Sequence, residues 1–262
     1  MAYKNIPNGF RQDILASRRV IGCWSSLAHP ITTDILGSVG FDWILIDCEH
    51  APNDLSSCLH QLNALKDSDS APVVRPPAND PVAIKQLLDL GFMNVLIPFI
   101  ESAEEAELAV AATRYPPAGI RGVSAVQRCN RYGAQGEYAN QANDNICVLL
   151  QIESRKGVDA LDQILAVPGV DGIFIGPADL SAGLGHFGNP NHPEVQAVIA
   201  DIHARSTAMG KAVGILTSVE ADAARYIEQG FHFVAVGTDQ GLFRAAAQGL
   251  RQRFFEPNGA AR

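Results

Sequence analysis

Eight times along the chain, a short apolar run of strand length gives way to a stretch with helical spacing. The runs begin at Val20, Trp43, Ala71, Val95, Ile146, Val170, Ala212 and Phe233. They are almost purely apolar, as parallel strands covered on both faces must be. The intervening stretches carry helix punctuation. Gly40, Gly91 and Gly230 stand at helix ends, Asp54 at an N-cap and Pro81 at a first helical position; Ser102 with Glu105 forms a capping-box pattern. Eight such units in 262 residues favour an α/β chain folded as one (β/α)8 TIM barrel over residues 1–262. A doubly wound open sheet is the alternative. Tyr115 to Asn145 breaks the rhythm with Pro116-Pro117, several glycines and four nearby arginines: Arg114, Arg121, Arg128 and Arg131. A loop of that length carries function or small elements of its own.

Composition removes several classes. The net charge of -8, without a run of Lys or Arg, argues against a nucleic-acid surface. No apolar stretch approaches a membrane span, and Met1 to Arg11 lacks the apolar core of a secretory signal. Five cysteines with no Cys-x-x-Cys pair read as reduced thiols of a cytoplasmic protein.

The polar residues gather where the apolar runs end. Glu49 and His50 follow the second run, Arg75 ends the third, Glu153 follows the fifth and Asp179 the sixth. A barrel brings these ends to one mouth. Glu153 and Asp179, on adjacent strands, are hard oxygen ligands suited to Mg²⁺ or Mn²⁺ with positions left open for water and substrate. Each also has a plainer reading: Glu is favoured near a helix N-terminus, and Asp179 can cap a short helix. An imidazole at position 50 can move protons near neutral pH, or simply face water. Arg75 can offer a planar fork to a carboxylate or developing enolate oxygen, or anchor a structural carboxylate. Gly183-Leu-Gly-His-Phe-Gly188 fits a dinucleotide fingerprint as a string, but it follows no strand and opens no helix, so it reads as a flexible loop. Cys48, beside Glu49 and His50, reads as a small buried thiol rather than a nucleophile. Lys211 precedes the seventh strand, at the opposite face, which counts against imine chemistry.

Longer segments carry a family resemblance. Phe41 to Asn53, Pro72 to Arg75, Thr113 to Val123, Gln151 to Glu153 and Gly172 to Leu180 resemble the metal-dependent class II pyruvate aldolases of the HpcH/HpaI family, over nearly the whole chain. Ile21 to Ser25, Pro30 to Thr32 and Ala71 to Arg75 are most similar to the branch that cleaves 2-dehydro-3-deoxy-D-glucarate (5-keto-4-deoxy-D-glucarate). A 4-hydroxy-2-oxoheptanedioate-type aldolase and a CoA-ester lyase of the same superfamily are the alternatives. A CoA-ester lyase would need a basic phosphate pocket, which the arginines of the 114–131 region could supply.

The resemblance implies a barrel of the phosphoenolpyruvate/pyruvate type, in a hexamer built as a trimer of dimers, with terminal helices exchanged between subunits. It implies that Glu153 and Asp179 hold a divalent ion, Mg²⁺ before Mn²⁺ or Co²⁺. It implies that His50 is the acid/base, that Asp89 raises its basicity, and that Arg75 stabilises the enolate. Gln151, Ala178 and Asp179 would bind pyruvate. The expected reaction is retro-aldol cleavage of a 2-oxo-3-deoxy-4-hydroxy diacid to pyruvate and 2-hydroxy-3-oxopropanoate, in aldaric acid catabolism. The partners are then small 2-oxo acids and aldehydes. On this reading, loss of Arg75 lowers turnover far more than it alters folding. Cys48 departs from the family, whose members often have glycine there, and Ala178 stands where some have serine.

Overall fold

The structure is a computed structural model and describes residues 6–255. Its eight strands are β1 (Val20–Ser25), β2 (Trp43–Asp47), β3 (Ala71–Arg75), β4 (Asn94–Ile97), β5 (Cys147–Ile152), β6 (Gly172–Ile175), β7 (Ala212–Leu216) and β8 (Phe233–Thr238). They pair in parallel in sequence order, and β8 pairs with β1 to close the barrel. Closure excludes the open sheet.

The helices between strands lie outside: α2 (Pro30–Val39), α3 (Leu55–Ala64), α4 (Pro81–Leu90), α5 (Ala103–Thr113), α10 (Pro193–Ala208) and α11 (Glu220–Glu228). Two short helices, α7 (Arg155–Asp159) and α8 (Leu161–Leu165), take the place of one expected helix. The long 115–145 connection holds a 3-10 turn (Arg128–Asn130) and α6 (Tyr138–Asn145). Another short helix, α9 (Pro177–Gly183), follows β6, and α12 (Asp239–Phe254) ends the described chain.

Gly40 and Gly91 end α2 and α4 in the left-handed conformation, and Asp54 caps α3 in a reciprocal box with Ser57. Ser102 caps α5 as expected, but the Glu105 carboxylate reaches back to the Glu101 N–H rather than to Ser102.

Strand alternation divides the buried residues into two cores. Ile44, Ile46, Val74, Val148 and Leu150 face outward and pack against the helices. Trp24, Trp43, Leu45, Val73, Leu149, Phe174 and Phe233 face inward and fill the barrel. A helix not foreseen from the sequence, α1 (Gly9–Leu15), closes the N-terminal end of the barrel. Its Phe10 ring lies 6.1 Å from both Trp43 and Phe233. Burying such a ring stabilises by roughly 1.5–3 kcal/mol. Room for this plug comes from two glycines: a Cβ at Gly22 would overlap the Trp43 indole, and one at Gly214 the Phe233 ring.

Candidate active site

The inward parity that builds the apolar core also builds the site. On β2 it runs Trp43, Leu45, Asp47; on β3, Val73, Arg75; on β5, Leu149, Gln151, then Glu153 just past the strand. The top layer of the barrel interior is therefore polar. Asp47 and Arg75 are register partners across β2 and β3.

Asp47 ends β2, and the sequence assigned it no role of its own. Arg75 donates to it twice, from Nε at 2.9 Å and from Nη2 at 2.7 Å. The Trp24 indole N–H donates to the same carboxylate at 3.3 Å, and the Arg75 guanidinium stacks 5.1 Å from the Trp24 ring. Burial opposes the Asp47 charge, but the Arg75 fork outweighs it and holds the carboxyl below its usual range. The signal was legible: Asp47 shares the parity of Trp43 and Leu45, at the last position of its strand.

This pair corrects one expectation. Arg75 and Asp47 are both buried. Arg75→Ala leaves an uncompensated buried carboxylate, a loss of about 3–5 kcal/mol, so that variant is a folding variant as well as a turnover variant.

The turn after β2 is held from inside. Asp47 Oδ1 accepts from the Glu49 N–H at 3.0 Å and the His50 N–H at 3.4 Å, while Asn53 Nδ2 donates to the Asp47 carbonyl at 2.7 Å. This presents Glu49 toward Arg75, whose Nη1 lies 2.9 Å from Glu49 Oε2. That contact is an ion pair without hydrogen-bond geometry, and Glu49 Oε2 has no hydrogen-bond partner although buried. The His50 side chain faces solvent at the rim, with Nε2 4.0 Å from Glu49 Oε2.

Glu153 lies opposite, 3% exposed. Its Oε1 accepts from the Phe99 backbone N–H at 3.0 Å, and its Oε2 from the Gln151 amide. Phe99 adopts φ 57 to make that contact, a left-handed conformation that costs a non-glycine residue of order 1 kcal/mol. Gly176, at the end of β6, leaves the space that Glu153 occupies; a Cβ there would meet the Glu153 carboxylate and approach Gln151 Nε2 at 3.0 Å. Burial, with the Glu49 and Asp179 charges adding to it against the Gln151 and Phe99 hydrogen bonds, raises the Glu153 pKa to about 7. Burial likewise raises Glu49, against the opposing pull of Arg75 and His50. Asp179 and Ala178 are exposed in the first turn of α9. A cleft of 390 Å³ opens beside Glu49, between Pro77, Asn79, Pro98 and Phe99.

A hard divalent cation fits this donor set. Glu153 and Asp179 supply anionic oxygens, Glu153 carries a raised pKa that a cation would lower, and the buried Gln151 Oε1 lacks a hydrogen-bond donor. A tighter convergence of ligand atoms, within 4.8 Å, occurs elsewhere, at His186, His192 and Glu194. There the two imidazoles stack 3.5 Å apart and nearly parallel, His186 Nε2 lies 2.9 Å from Glu194 Oε2, and His192 Nδ1 accepts from the Glu194 N–H at 3.3 Å. His186 belongs to the glycine-rich string, which begins at Gly183, the last residue of α9, and continues as a loop.

Asp89 is not brought to His50 within one chain. It lies near the end of α4, on the barrel's N-terminal side, and pairs with Arg121 at 2.8 Å. The arginines considered for a phosphate pocket serve the fold. Arg121 holds Asp89, Arg114 donates to the Ile146 carbonyl and Arg128 to the Leu90 carbonyl. Lys211 donates to the Val170 carbonyl, away from the mouth.

Residues 20–246 match the model of the HpcH/HpaI aldolase/citrate lyase family. The 5-keto-4-deoxy-D-glucarate aldolase of Citrobacter koseri is 59% identical over 95% of this chain and 96% of its own length. Its namesake from Escherichia coli K12 is 58% identical over 95% and 97%. A crystal structure of an HpcH/HpaI aldolase/citrate lyase family protein from Burkholderia cenocepacia superposes with a TM-score of 0.91 at 38% identity, covering 95% of this chain and 100% of that one.

Proposed function

The chain belongs to the HpcH/HpaI aldolase/citrate lyase family and is a carbon–carbon lyase of the aldolase type; from that premise we propose its substrate, its ion and the duties of its residues. The substrate is 2-dehydro-3-deoxy-D-glucarate, cleaved to pyruvate and 2-hydroxy-3-oxopropanoate in aldaric acid catabolism in the cytoplasm. The name carried by the relatives at 58–59% identity supports this choice over the heptanedioate and CoA-ester alternatives. The observation that carries the reading is Glu153: a buried carboxylate facing two others, beside a guanidinium fork aimed into the same mouth.

Glu153 and Asp179 would hold the divalent ion, Mg²⁺ before Mn²⁺ or Co²⁺. When bound, it supplies Lewis-acid polarisation of the substrate's 2-oxo and carboxylate oxygens. Gln151 and the backbone N–H groups at Ala178 and Asp179 orient the pyruvate moiety. His50 removes the 4-hydroxyl proton, and the C3–C4 bond breaks. Arg75 keeps one N–H on Nη2 beyond the one given to Asp47, and the N–H groups of Nη1, which only pairs in charge with Glu49; these turn to the enolate oxygen as charge develops there. Its orientation is preset by Asp47, so little reorganisation is needed at the moment of reaction.

Two parts of the reading require more than one chain. Asp89 can assist His50 only from a neighbouring subunit, because within a chain the two lie at opposite ends of the barrel. Helix α12 supports an exchanged position, since Asp239 is its one buried residue among those described. We assign both to a hexamer arranged as a trimer of dimers.

The test is proton–deuterium exchange at the pyruvate methyl, followed by NMR, with Mg²⁺ or Mn²⁺ and with chelator. Exchange that needs the ion and collapses in Glu153→Ala is expected. Folded protein that exchanges nothing with any divalent ion sinks the reading.

A further inference from the structure

Cys48 reads from the sequence as a small buried thiol, but the fold places it in contact with a second one, Cys58. Cys48 follows the last residue of β2, and Cys58 lies in the first turns of α3. Their sulfurs are 3.2 Å apart, and both are free. The other three cysteines lie apart from this pair: Cys23 faces the Gly237 carbonyl, Cys129 contacts Arg121, and Cys147 lies inside the barrel. The pair lines a second cavity of about 180 Å³, bordered by Asn53, Leu55, Pro77 and Gln86. A peroxide-sized molecule fits that space. Cys48 is half-buried at the cavity, and Cys58 is fully buried behind it.

We propose that Cys48 and Cys58 are a redox modification site whose disulfide displaces the Glu49–His50 turn and suppresses turnover. The oxidant is a peroxide. In the first step the Cys48 thiol loses its proton and gives an electron pair to one peroxide oxygen. The O–O bond breaks, leaving Cys48 sulfenic acid and one water. In the second, the Cys58 sulfur attacks the Cys48 sulfur and a second water departs, forming the S–S bond. Two thiols and one peroxide thus become one disulfide and two waters.

The consequence for the active site follows from the pinning of the turn. A disulfide needs its sulfurs about 2.05 Å apart, so they must close by roughly 1.2 Å. Cys58 sits in a helix with its side chain fully buried, whereas Cys48 sits in a turn, and the turn yields. Cys48 donates its N–H to the Arg75 carbonyl at 2.9 Å and is covalently followed by Glu49 and His50. Its displacement therefore disturbs Arg75, Glu49 and His50 together. A misplacement near 1 Å in such a constellation costs on the order of 100-fold in rate. The contact with Cys58, and then burial, raise the Cys48 thiol above its ordinary range. It therefore stays protonated in resting enzyme, and the pair answers sustained oxidant rather than traces.

The bond stands independently of the reaction proposed above; its effect on turnover rests on that reading. The experiment treats the full chain with hydrogen peroxide, alkylates the remaining thiols and maps peptides by mass. Metal-dependent pyruvate exchange is measured in parallel, before treatment, after it, and after dithiothreitol. A linked Cys48–Cys58 peptide, a loss of exchange of tenfold or more and its recovery with dithiothreitol are expected. Cys58→Ala should keep exchange and lose the reversible response, and Cys48→Ala provides the same control should Cys58→Ala fold poorly. Absence of the linked peptide, or its presence with unchanged exchange, overturns the proposal. Should reduced protein show no exchange at all, the proposed function fails, and the peptide map alone decides the bond.

Discussion

Glu153 holds a carboxyl group where the chain alone does not favour its charge. Its folded-state pKa of about 7 exceeds the ordinary value of 4.5, chiefly through burial. Between those pH values the folded protein binds the proton that the unfolded chain has released. The stability from this group is therefore greatest below pH 4.5, and is lost as pH rises through 7, by up to roughly 3 kcal/mol. A divalent ion reverses the trend, because it binds the ionised form and displaces the proton. Metal-free protein should melt at a higher temperature at pH 5.5 than at pH 8, and Glu153→Gln should flatten that difference. Titration calorimetry in two buffers should show proton release when Mg²⁺ binds near pH 6.5. An unaltered melting profile in Glu153→Gln would exclude Glu153 as the source.

The exit of β6 shows how an element shapes a site without supplying a ligand there. Inward parity runs from Phe174 to Gly176, and the missing side chain at Gly176 is the volume that Glu153 fills. Gly176 itself has an ordinary extended backbone, φ −93, so its value here is space, not conformational freedom. Gly176→Ala should weaken Mg²⁺ binding at least tenfold by displacing the Glu153 carboxylate, while circular dichroism remains that of the barrel. Equilibrium dialysis decides this; unchanged affinity would mean that Glu153 is not where the ion binds. The same element logic explains Phe99. β4 stops at Ile97, and the chain must turn sharply for its next N–H groups to reach Glu153 and the Gln151 carbonyl.

At the scale of the whole molecule, α12 is a 16-residue helix with an apolar face that the described residues leave open. Phe243 is 71% exposed and Phe254 78%, with Leu242 and Leu250 also open. Such a stripe marks an interaction surface. Because both phenylalanines are already exposed in a single chain, charging them should leave the barrel's stability nearly intact. Phe243→Asp with Phe254→Asp should instead reduce the mass in light scattering toward that of one chain. It should also reduce turnover, if His50 draws on a neighbour's Asp89. A wild-type protein that is itself monomeric would dismiss the assembly.

The alternation of eight apolar runs with helical spacing narrowed the fold to a barrel or a doubly wound sheet, since both cover the two faces of parallel strands, and the pairing of β8 with β1 decided for the barrel. The strand ends that carry Glu49, His50, Arg75, Glu153 and Asp179 were legible for the same reason: interrupted hydrophobicity is local information. Asp47 was equally legible by parity, yet its role was not, because that role depends on the register partner Arg75 across the strand pair. Other features required the folded molecule. The Arg75–Asp47 fork depends on β2–β3 register, the Glu153 niche on a glycine of the adjacent strand, and the Cys48–Cys58 contact on how α3 lies against β2. Helix α1 gave little signal because its two inward residues, Phe10 and Ile14, acquire meaning only against the open end of a closed barrel. Asp89 and Arg121 divide the same way. Each is ordinary in sequence, and their pairing follows from the 115–145 connection folding back along α4. Patterning acts between near neighbours in the chain and sets which faces are buried; register and closure act between distant ones, and they decide which buried polar groups meet.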